Sequence, residues 1–529
     1  MAMAVDFAPF PYVAPLGLAA PEPRHPVAIV GAGPIGLALA IDLAQRGVAS
    51  VVLDDDNRVA TGSRAICWAK RTLEIFDRLG VGARMLEKGV TWKTGRQFHK
   101  DKEVYSFDLL PEDGHKYPAF VNLQQYYVEQ YLVERAQDLK DLIDLRFLNR
   151  VTAHQDHGDH LSLDIETPDG AYRIEADWLV ACDGAHSPTR ARMDLPFNGE
   201  SFEENFLIVD VEMAQSPFGN EGQPERWFWF EPPFHNGQSA LLHKQPDNIY
   251  RIDLQLGPDA DTQEEAKPER VVPRIKAIVG NLPFRLEWTS VYRFRCARID
   301  RFVHGRVVFA GDCAHVVSPF GARGGNGGVQ DADALGWRLA AIIKKGATPA
   351  ILQDYNAERV QASDENILHS SRATNFMTPK SPVEALFRTE VLRLARRHPF
   401  ARKLINSGRL SQPCHLHLGD GHPLIGRSVI DTPLEGPDGE TWLTEVLPPT
   451  FCLLKVGPEP MPQLNGVVQV GIGHTGPYPS FKDLHGLAAK RYGTDCAFLF
   501  RPDGHICAAI GTPAEVTVAE AVSVAMAGR

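Results

Sequence analysis

The stretch Val27-Ala28-Ile29-Val30-Gly31-Ala32-Gly33-Pro34-Ile35-Gly36, followed by Leu37, Ala40 and Leu43 at helical spacing and closed by Gly47, reads as strand, tight turn and helix. Its three glycines meet the demands of a dinucleotide pyrophosphate. Gly31 lets the chain turn sharply, Gly33 lets the backbone approach the phosphates, and Gly36 lets the helix pack on the strand. Pro34 and Ile35 open the helix, whose free amides and partial positive charge suit an anion. A second strand, 50–53, ends at Asp54, placed to accept a hydrogen bond from a ribose hydroxyl. Asp55 and Asp56 follow directly and are alternative acceptors.

The chain has 529 residues, enough for three or four structural units at roughly 150 residues each. Hydrophobic residues make up 44% and charged residues 23%, which excludes wholesale disorder, a coiled coil or a fibrous repeat. The balance of 55 basic against 66 acidic residues, −11 overall with no Lys/Arg-rich block, argues against a nucleic-acid partner. Eight cysteines are scattered without a C-x-x-C pair, which is neither a zinc framework nor a disulfide scaffold and suits a cytoplasmic location. Residues 1–25 read as a flexible leader, and no apolar run reaches the ~20 residues of a membrane span.

Two later segments share the chemistry of the first. Asp177-Trp-Leu-Val-Ala-Cys-Asp183-Gly184 runs an apolar strand into an Asp-Gly turn, with Ser187 and Arg190 just beyond. Gly305-Arg-Val-Val-Phe-Ala-Gly311-Asp312 is another buried strand ending in Gly-Asp. Pro319-Phe-Gly321-Ala-Arg323-Gly324-Gly325-Asn326-Gly327-Gly328 then leads into an amphipathic helix from Val329 to Ile343. The amides of that helix start stabilise negative charge without a dedicated basic side chain, and its glycines let a flat ring sit against the backbone.

At these residues the chain resembles the single-component FAD-dependent aromatic hydroxylases, the class A flavoprotein monooxygenases. The three segments occur in that family's order. The resemblance covers most of 27–405 and implies an α/β fold with α+β parts: a Rossmann-like FAD-binding domain at 26–196 and 299–348, with an inserted β-sheet substrate domain of the p-hydroxybenzoate hydroxylase type at 197–298. It implies that Asp312 binds the ribityl chain of FAD, and that Asp183 and Gly184 serve FAD and nicotinamide. Ser63-Arg64-Ala65 matches a family segment whose arginine approaches the cofactor, so Arg64 is either a cofactor contact or a solvated charge. Gln125 matches a glutamine that contacts FAD, with Gln124 as the neighbouring register. Pro319, Gly324, Gly325, Asn326 and Gly327 complete the expected cofactor set. Arg323 stands where relatives often carry glutamine, and no role is carried onto it.

The implied activity is oxygenation of a small phenolic compound in aromatic degradation. NAD(P)H reduces FAD, O2 adds at flavin C4a, and the hydroperoxide delivers oxygen ortho or para to a phenolic hydroxyl. With a single G-x-G-x-x-G segment, the nicotinamide binds transiently. Alternatives are tailoring of a larger polycyclic phenol, a flavin-dependent halogenase, and a flavin-binding sensor without turnover. The halogenase reading rests on Trp227-Phe-Trp229-Phe-Glu231-Pro232 and on Lys70, and its W-x-W-x-I-P match fails at Glu231.

Within 197–298, the runs 206–213, 226–230, 239–243 and 248–256 are strand-like, and His243 and Tyr250 are candidates to touch the phenol or to be ordinary sheet residues. No catalytic base is assigned. A helical connector at 349–411 leads to a unit at 412–529 with strand-like runs and an Arg501-Pro-Asp-Gly504 turn, similar to the thioredoxin-like tail of phenol hydroxylase and of 3-(3-hydroxyphenyl)propionate hydroxylase. Cys452 lacks a C-x-x-C partner, so the tail is expected to serve a homodimer interface and not thiol chemistry.

Overall fold

A computed structural model describes residues 7–60, 62, 65–110, 112–219, 223–257, 260–405 and 411–528. Its centre is a parallel sheet in which His25–Val30 lies between Ser50–Leu53 and Gly170–Ala181. Val307–Phe309 extends it on one side and Ile143–Arg146 on the other, both parallel. These strands are near-continuous runs of Val, Ile, Leu and Ala because both faces are covered. Helix Pro34–Gln45 packs between Gly324–Lys345 and Gln125–Asp138.

The second sheet has eight strands in the order His315–Val316, Arg285–Arg298, Asn198–Glu212, Ile249–Leu256, Ala240–Lys244, Glu225–Phe230, Thr94–His99, Lys102–Asp108. It therefore draws on more than 197–298. The hairpin 94–108 leaves the nucleotide-binding part of the chain and pairs in parallel with Glu225–Phe230. Its charged, weakly patterned sequence is that of a sheet edge, which carries little periodicity to read.

Side chains alternate cleanly across this sheet. Leu207, Val209, Leu242, Tyr250, Ile252 and Trp229 pack outward with Val271, Ile275 and Val279 of helix Pro268–Val279. Phe206, Phe228, Phe230 and Leu241 face inward, against Val317 and Phe320 and against Met377, Leu392, Ala395 and Ala401 of the connector helices. The Trp227–Phe230 run is thus a two-sided aromatic strand. Glu231 is held by Arg388 and by His99, whose Nε2 lies 3.3 Å away, and Lys70 pairs with Glu74.

The C-terminal unit is a mixed seven-stranded sheet. Cys452–Val456, Val468–Ile472 and Ser480–Asp483 run parallel at its middle, with antiparallel Ala497–Phe500 and Ile506–Ile510 beside them. Burial pushes the Cys452 thiol up to about 12, which removes thiolate chemistry at neutral pH. No helix among the described residues is long and apolar enough to cross a membrane.

Candidate active site

The three glycine-bearing segments leave the carboxyl ends of three adjacent parallel strands. Val30 pairs with Ala181, and Ala181 with Phe309. A ligand crevice is expected at that edge of an α/β sheet. Gly31 has φ +105°, and a Cβ there would lie 2.5 Å from the Cys182 carbonyl oxygen. A Cβ on Gly36 would lie 2.0 Å from the Gly31 carbonyl oxygen, so the helix can close on the turn only with glycine. Gly33 meets nothing within 4 Å, which leaves the open approach a pyrophosphate needs. Pro34 begins the helix, and Ile35 fits between Gly311 and Gly328, locking the first segment to the third.

Asp54 spans the turn. Its Oδ2 accepts from the Ala32 amide at 2.5 Å and its Oδ1 from the Asp56 amide at 2.9 Å. Burial raises its carboxyl above the usual range despite those amides, and Asp55 and Asp56 are exposed. Asp183 is half-buried and caps helix Pro188–Arg192, accepting from Ser187 Oγ at 2.5 Å and the Thr189 amide at 2.9 Å, while Gly184 at φ +76° faces open space. Arg190 then crosses to the third segment, donating to the Cys313 carbonyl at 3.1 Å.

Asp312 is exposed between buried Gly311 and Cys313, at the carboxyl end of strand Val307–Phe309. Behind it lies a buried support that the sequence reading did not single out. Asp331 Oδ2 accepts from the Gly311 amide at 2.9 Å and lies 2.6 Å from His315 Nε2, while its Oδ1 accepts from Arg359 Nε at 2.6 Å. Burial opposes ionisation of Asp331, but His315 and Arg359 outweigh it and hold the carboxyl below its usual range.

Helix Gly324–Lys345 begins beside this turn. Its first helical bond is Gly327 N to the Arg323 carbonyl at 2.8 Å, so the amides of Gly324, Gly325 and Asn326 are left for a ligand. Asn326 departs from the expected role: its side chain accepts from the Ala69 amide at 2.8 Å and donates to the Cys67 and Ala322 carbonyls at 2.8 and 2.6 Å. That side chain positions the helix start, and its amide is one of the three without a helical bond. Arg323 turns back to Asn366 Oδ1 at 2.9 Å. Pro319 is exposed on the approach loop.

Arg64 lies outside the described residues. Gln125, and not Gln124, addresses that loop: its Oε1 accepts from the Ala65 amide at 3.2 Å, whereas Gln124 donates to the Pro246 carbonyl. Gln125 also donates to Glu129 Oε1 at 2.8 Å, and Glu129 Oε2 accepts from the Ala60 amide at 2.6 Å. Burial, helped by the charges of Asp54 and Asp56 and opposed by those two donors, raises Glu129 to about 7. The folded protein therefore holds this proton more tightly than the unfolded chain. Stability is fully present below the usual carboxyl range and falls as pH rises from about 4.5 toward 7. Thermal unfolding across that window should show this slope, and Glu129→Gln should flatten it; an unchanged slope would remove Glu129 as its source.

Tyr250 cannot reach the crevice. It lies on the outer sheet face because Lys244, opposite it, alternates with inward His243. His243 faces inward, its Nδ1 3.9 Å from Cys67 Sγ. The geometry fits FAD: an open pyrophosphate approach at Gly33, an exposed Asp312, and an amide-rich helix start facing a sheet.

The comparisons agree with that fit. The family model described as FAD binding domain matches residues 24–370. The 12-dehydrotetracycline 5-monooxygenase/anhydrotetracycline 6-monooxygenase of Streptomyces rimosus is 29% identical over 92% of this chain and 95% of its own. The para-nitrophenol 4-monooxygenase of a Pseudomonas species is 28% identical over 63% of this chain and 82% of its own. Among solved structures, CabE, an aromatic hydroxylase from angucycline biosynthesis, superposes with a TM-score of 0.72 at 25% identity, over 96% of this chain and 99% of its own.

Proposed function

The chain belongs to the FAD binding domain family of class A flavin monooxygenases, and from that premise we propose that it uses NAD(P)H and O2 to hydroxylate a phenolic ring ortho or para to its hydroxyl. The observation that carries this reading is the convergence of the three glycine-bearing segments at one edge of the parallel sheet, with the Gly324 helix start tied through Asn326 to Cys67, beside His243 on the inner face of the second sheet. Bound FAD supplies the hydride acceptor and the centre at which O2 is reduced. This chain's residues bind and orient. Gly31, Gly33 and Gly36 would admit the pyrophosphate, Asp54 and Gln125 would shape the ribose side, and Asp312 would hold the ribityl chain. The amides of Gly324 to Asn326 offset negative charge on the reduced ring. The inner face of the second sheet, closed by the packing of Phe206, Phe228 and Phe230 on the connector helices, would keep water from the ring to be oxidised.

The size of the phenol has two readings. A single-ring phenol in aromatic degradation fits the para-nitrophenol relative. A polycyclic phenol fits the near full-length similarity to the tetracycline enzyme. Coupled NAD(P)H and O2 consumption across single-ring and multi-ring phenols separates the two. Tight FAD with no phenol-stimulated NAD(P)H oxidation anywhere in the panel would sink both and leave a non-catalytic flavin binder.

Asp312→Ala should weaken FAD retention by about tenfold or more, because a charged acceptor is worth roughly 1.5–3 kcal/mol. Flavin content of the purified variant reads this directly, and full occupancy would move the ribityl contact elsewhere.

A further inference from the structure

The connector helices are apolar on two sides. In Pro382–Ala395, Val391, Leu392 and Ala395 are buried, and Leu392 and Ala395, together with Ala401 of Pro399–Ile405, close on the inner face of the second sheet. On the other side of the longer helix Val383, Leu386, Phe387 and Leu394 stand at i, i+3, i+4 and i+11, which is one stripe, and they are 76, 63, 55 and 38% exposed. The shorter helix touches the longer one and adds Phe400 and Leu404, about one turn apart and 63 and 54% exposed. A helix side that faces water ordinarily carries polar residues. Six large apolar side chains grouped on two adjoining helices mark an interaction surface.

The charge of this surface says what covers it. Residues 380–405 hold seven Lys or Arg against two Glu, in a chain whose overall balance is −11. Arg388 is turned inward to Glu231, and Arg402 Nε donates to the Ala395 carbonyl at 2.9 Å. Both carboxylates are engaged locally: Glu390 Oε2 lies 2.7 Å from Arg393 Nη2, and Glu384 accepts from the Lys380 amide at 2.6 Å. Arg396, Arg397 and Lys403, all exposed, alternate along the chain with Leu394, Phe400 and Leu404. The occupant is therefore anionic. A second copy meeting this face about a two-fold axis would set these cations against themselves. An anionic lipid surface pairs with them and takes up protruding Phe and Leu side chains without a matching groove.

We propose that the outer face of Pro382–Ala395 and Pro399–Ile405 docks the protein on the surface of an anionic lipid bilayer, its exposed Leu, Val and Phe side chains entering the headgroup boundary and Arg396, Arg397 and Lys403 meeting the lipid phosphates. The two helices lie on the membrane and do not cross it. This surface goes beyond the monooxygenase reading and stands without it, because it is built from residues remote from the glycine segments. The inner sides of the same helices close the second sheet, so docking turns that side of the molecule toward the lipid, where apolar aromatic compounds collect from water.

The test uses the full-length, FAD-loaded protein and sedimentation with vesicles of phosphatidylcholine alone or of phosphatidylcholine mixed with phosphatidylglycerol. The expected result is binding to the mixed vesicles about tenfold or more tighter than to phosphatidylcholine, weakening as salt rises from about 0.1 M to about 1 M and the screening length falls from about 10 Å to about 3 Å. Arg396→Gln combined with Arg397→Gln should weaken binding to the mixed vesicles about tenfold and remove most of the salt dependence. Phe387→Ser combined with Phe400→Ser should weaken it by a similar factor and keep the preference for anionic lipid. Flavin content and unfolding temperature equal to wild type show that a variant is folded, and the two pairs test the face independently, so either decides if the other fails to fold. No binding to mixed vesicles at about 0.1 M salt, equal binding to both vesicle types, or binding unchanged in both variants each overturns the proposal. A dimer in sedimentation that ignores vesicles and that Phe387→Ser with Phe400→Ser dissociates overturns it too and assigns the face to a second copy. Phenol-stimulated NAD(P)H oxidation in lipid-free solution reads the monooxygenase activity separately, so either reading can fall while the other stands.

Discussion

Asp331→Ala is expected to release FAD and to destabilise the fold by about 3–5 kcal/mol, the range for stripping a buried ionic group of its partner. The carboxylate does three things at once. It receives the Gly311 amide, lies beside His315 and pairs with Arg359, whose Nη2 also reaches the Gly327 carbonyl at 3.3 Å. Alanine leaves the Arg359 guanidinium buried without a counter-ion and frees the turn that carries Asp312. The third glycine segment and the helix start should then lose register together. Flavin released on heating, and flavin content after purification, measure the effect. Asp331→Asn keeps an oxygen for Gly311 but not the charge, so it should fall between wild type and alanine. An alanine variant with full flavin and an unshifted release temperature would show that Asp331 is a bystander.

What the sequence disclosed follows from the range of the forces involved. The glycine turns were readable because their cause is local. Gly31 and Gly36 are required by carbonyl oxygens within the same turn or the neighbouring strand end, and nothing but glycine fits. The edge hairpin 94–108 was missed because pairing on a charged edge leaves no apolar rhythm. Tyr250 is open in the sequence between a phenol contact and an ordinary sheet residue because strand alternation identifies two faces without saying which is inward. That choice is made by helix Pro268–Val279 on one side and the connector helices on the other, both distant in sequence. Asn326 looked like a cofactor ligand by its position in a glycine run, yet its side chain is consumed by Cys67, Ala69 and Ala322. Asp331, Arg359 and Glu129 could not be found by motif, because each acts on a glycine segment or loop through a contact that exists only once the chain has folded. The segment Val329 to Leu335 carries two buried aspartates, Asp331 and Asp333, and nothing in the pattern separates the one that holds the Gly311 turn from the one that pairs with Arg71 and Arg78.

The Arg501-Pro-Asp-Gly504 turn carries the second large effect. It reads as a connector between strands, but it is buried in the flavin-binding unit. Arg501 forms a bidentate pair with Glu358 of helix Ile351–Met377, with Nη1 to Oε1 at 2.6 Å and Nη2 to Oε2 at 3.0 Å, and Glu358 also takes Arg338 Nη2 at 2.7 Å. Asp503 accepts from Trp337 Nε1 at 3.1 Å, and its carbonyl from Arg71 Nη2 at 2.6 Å. Burial opposes the Glu358 charge, but Arg338 and Arg501 hold its carboxyl down at about 2. Glu358 therefore bridges two buried guanidinium groups from two parts of the chain, and Asp503 adds a second carboxylate to Arg501, Oδ2 lying 2.7 Å from Nη2. Glu358→Ala should cost about 3–5 kcal/mol, since it leaves both cations without their shared partner. Because the contacts broken are those between the C-terminal sheet and the flavin unit, the loss should fall on their attachment. Limited proteolysis should separate a C-terminal fragment from the variant under conditions in which the wild type stays whole. Glu358→Gln preserves the shape and two acceptor sites on one oxygen, yet removes the charge, and should be cleaved nearly as readily if electrostatics hold the units together. A glutamine variant as resistant as wild type would assign the attachment to packing, and an equally resistant alanine variant would deny the network any part in it.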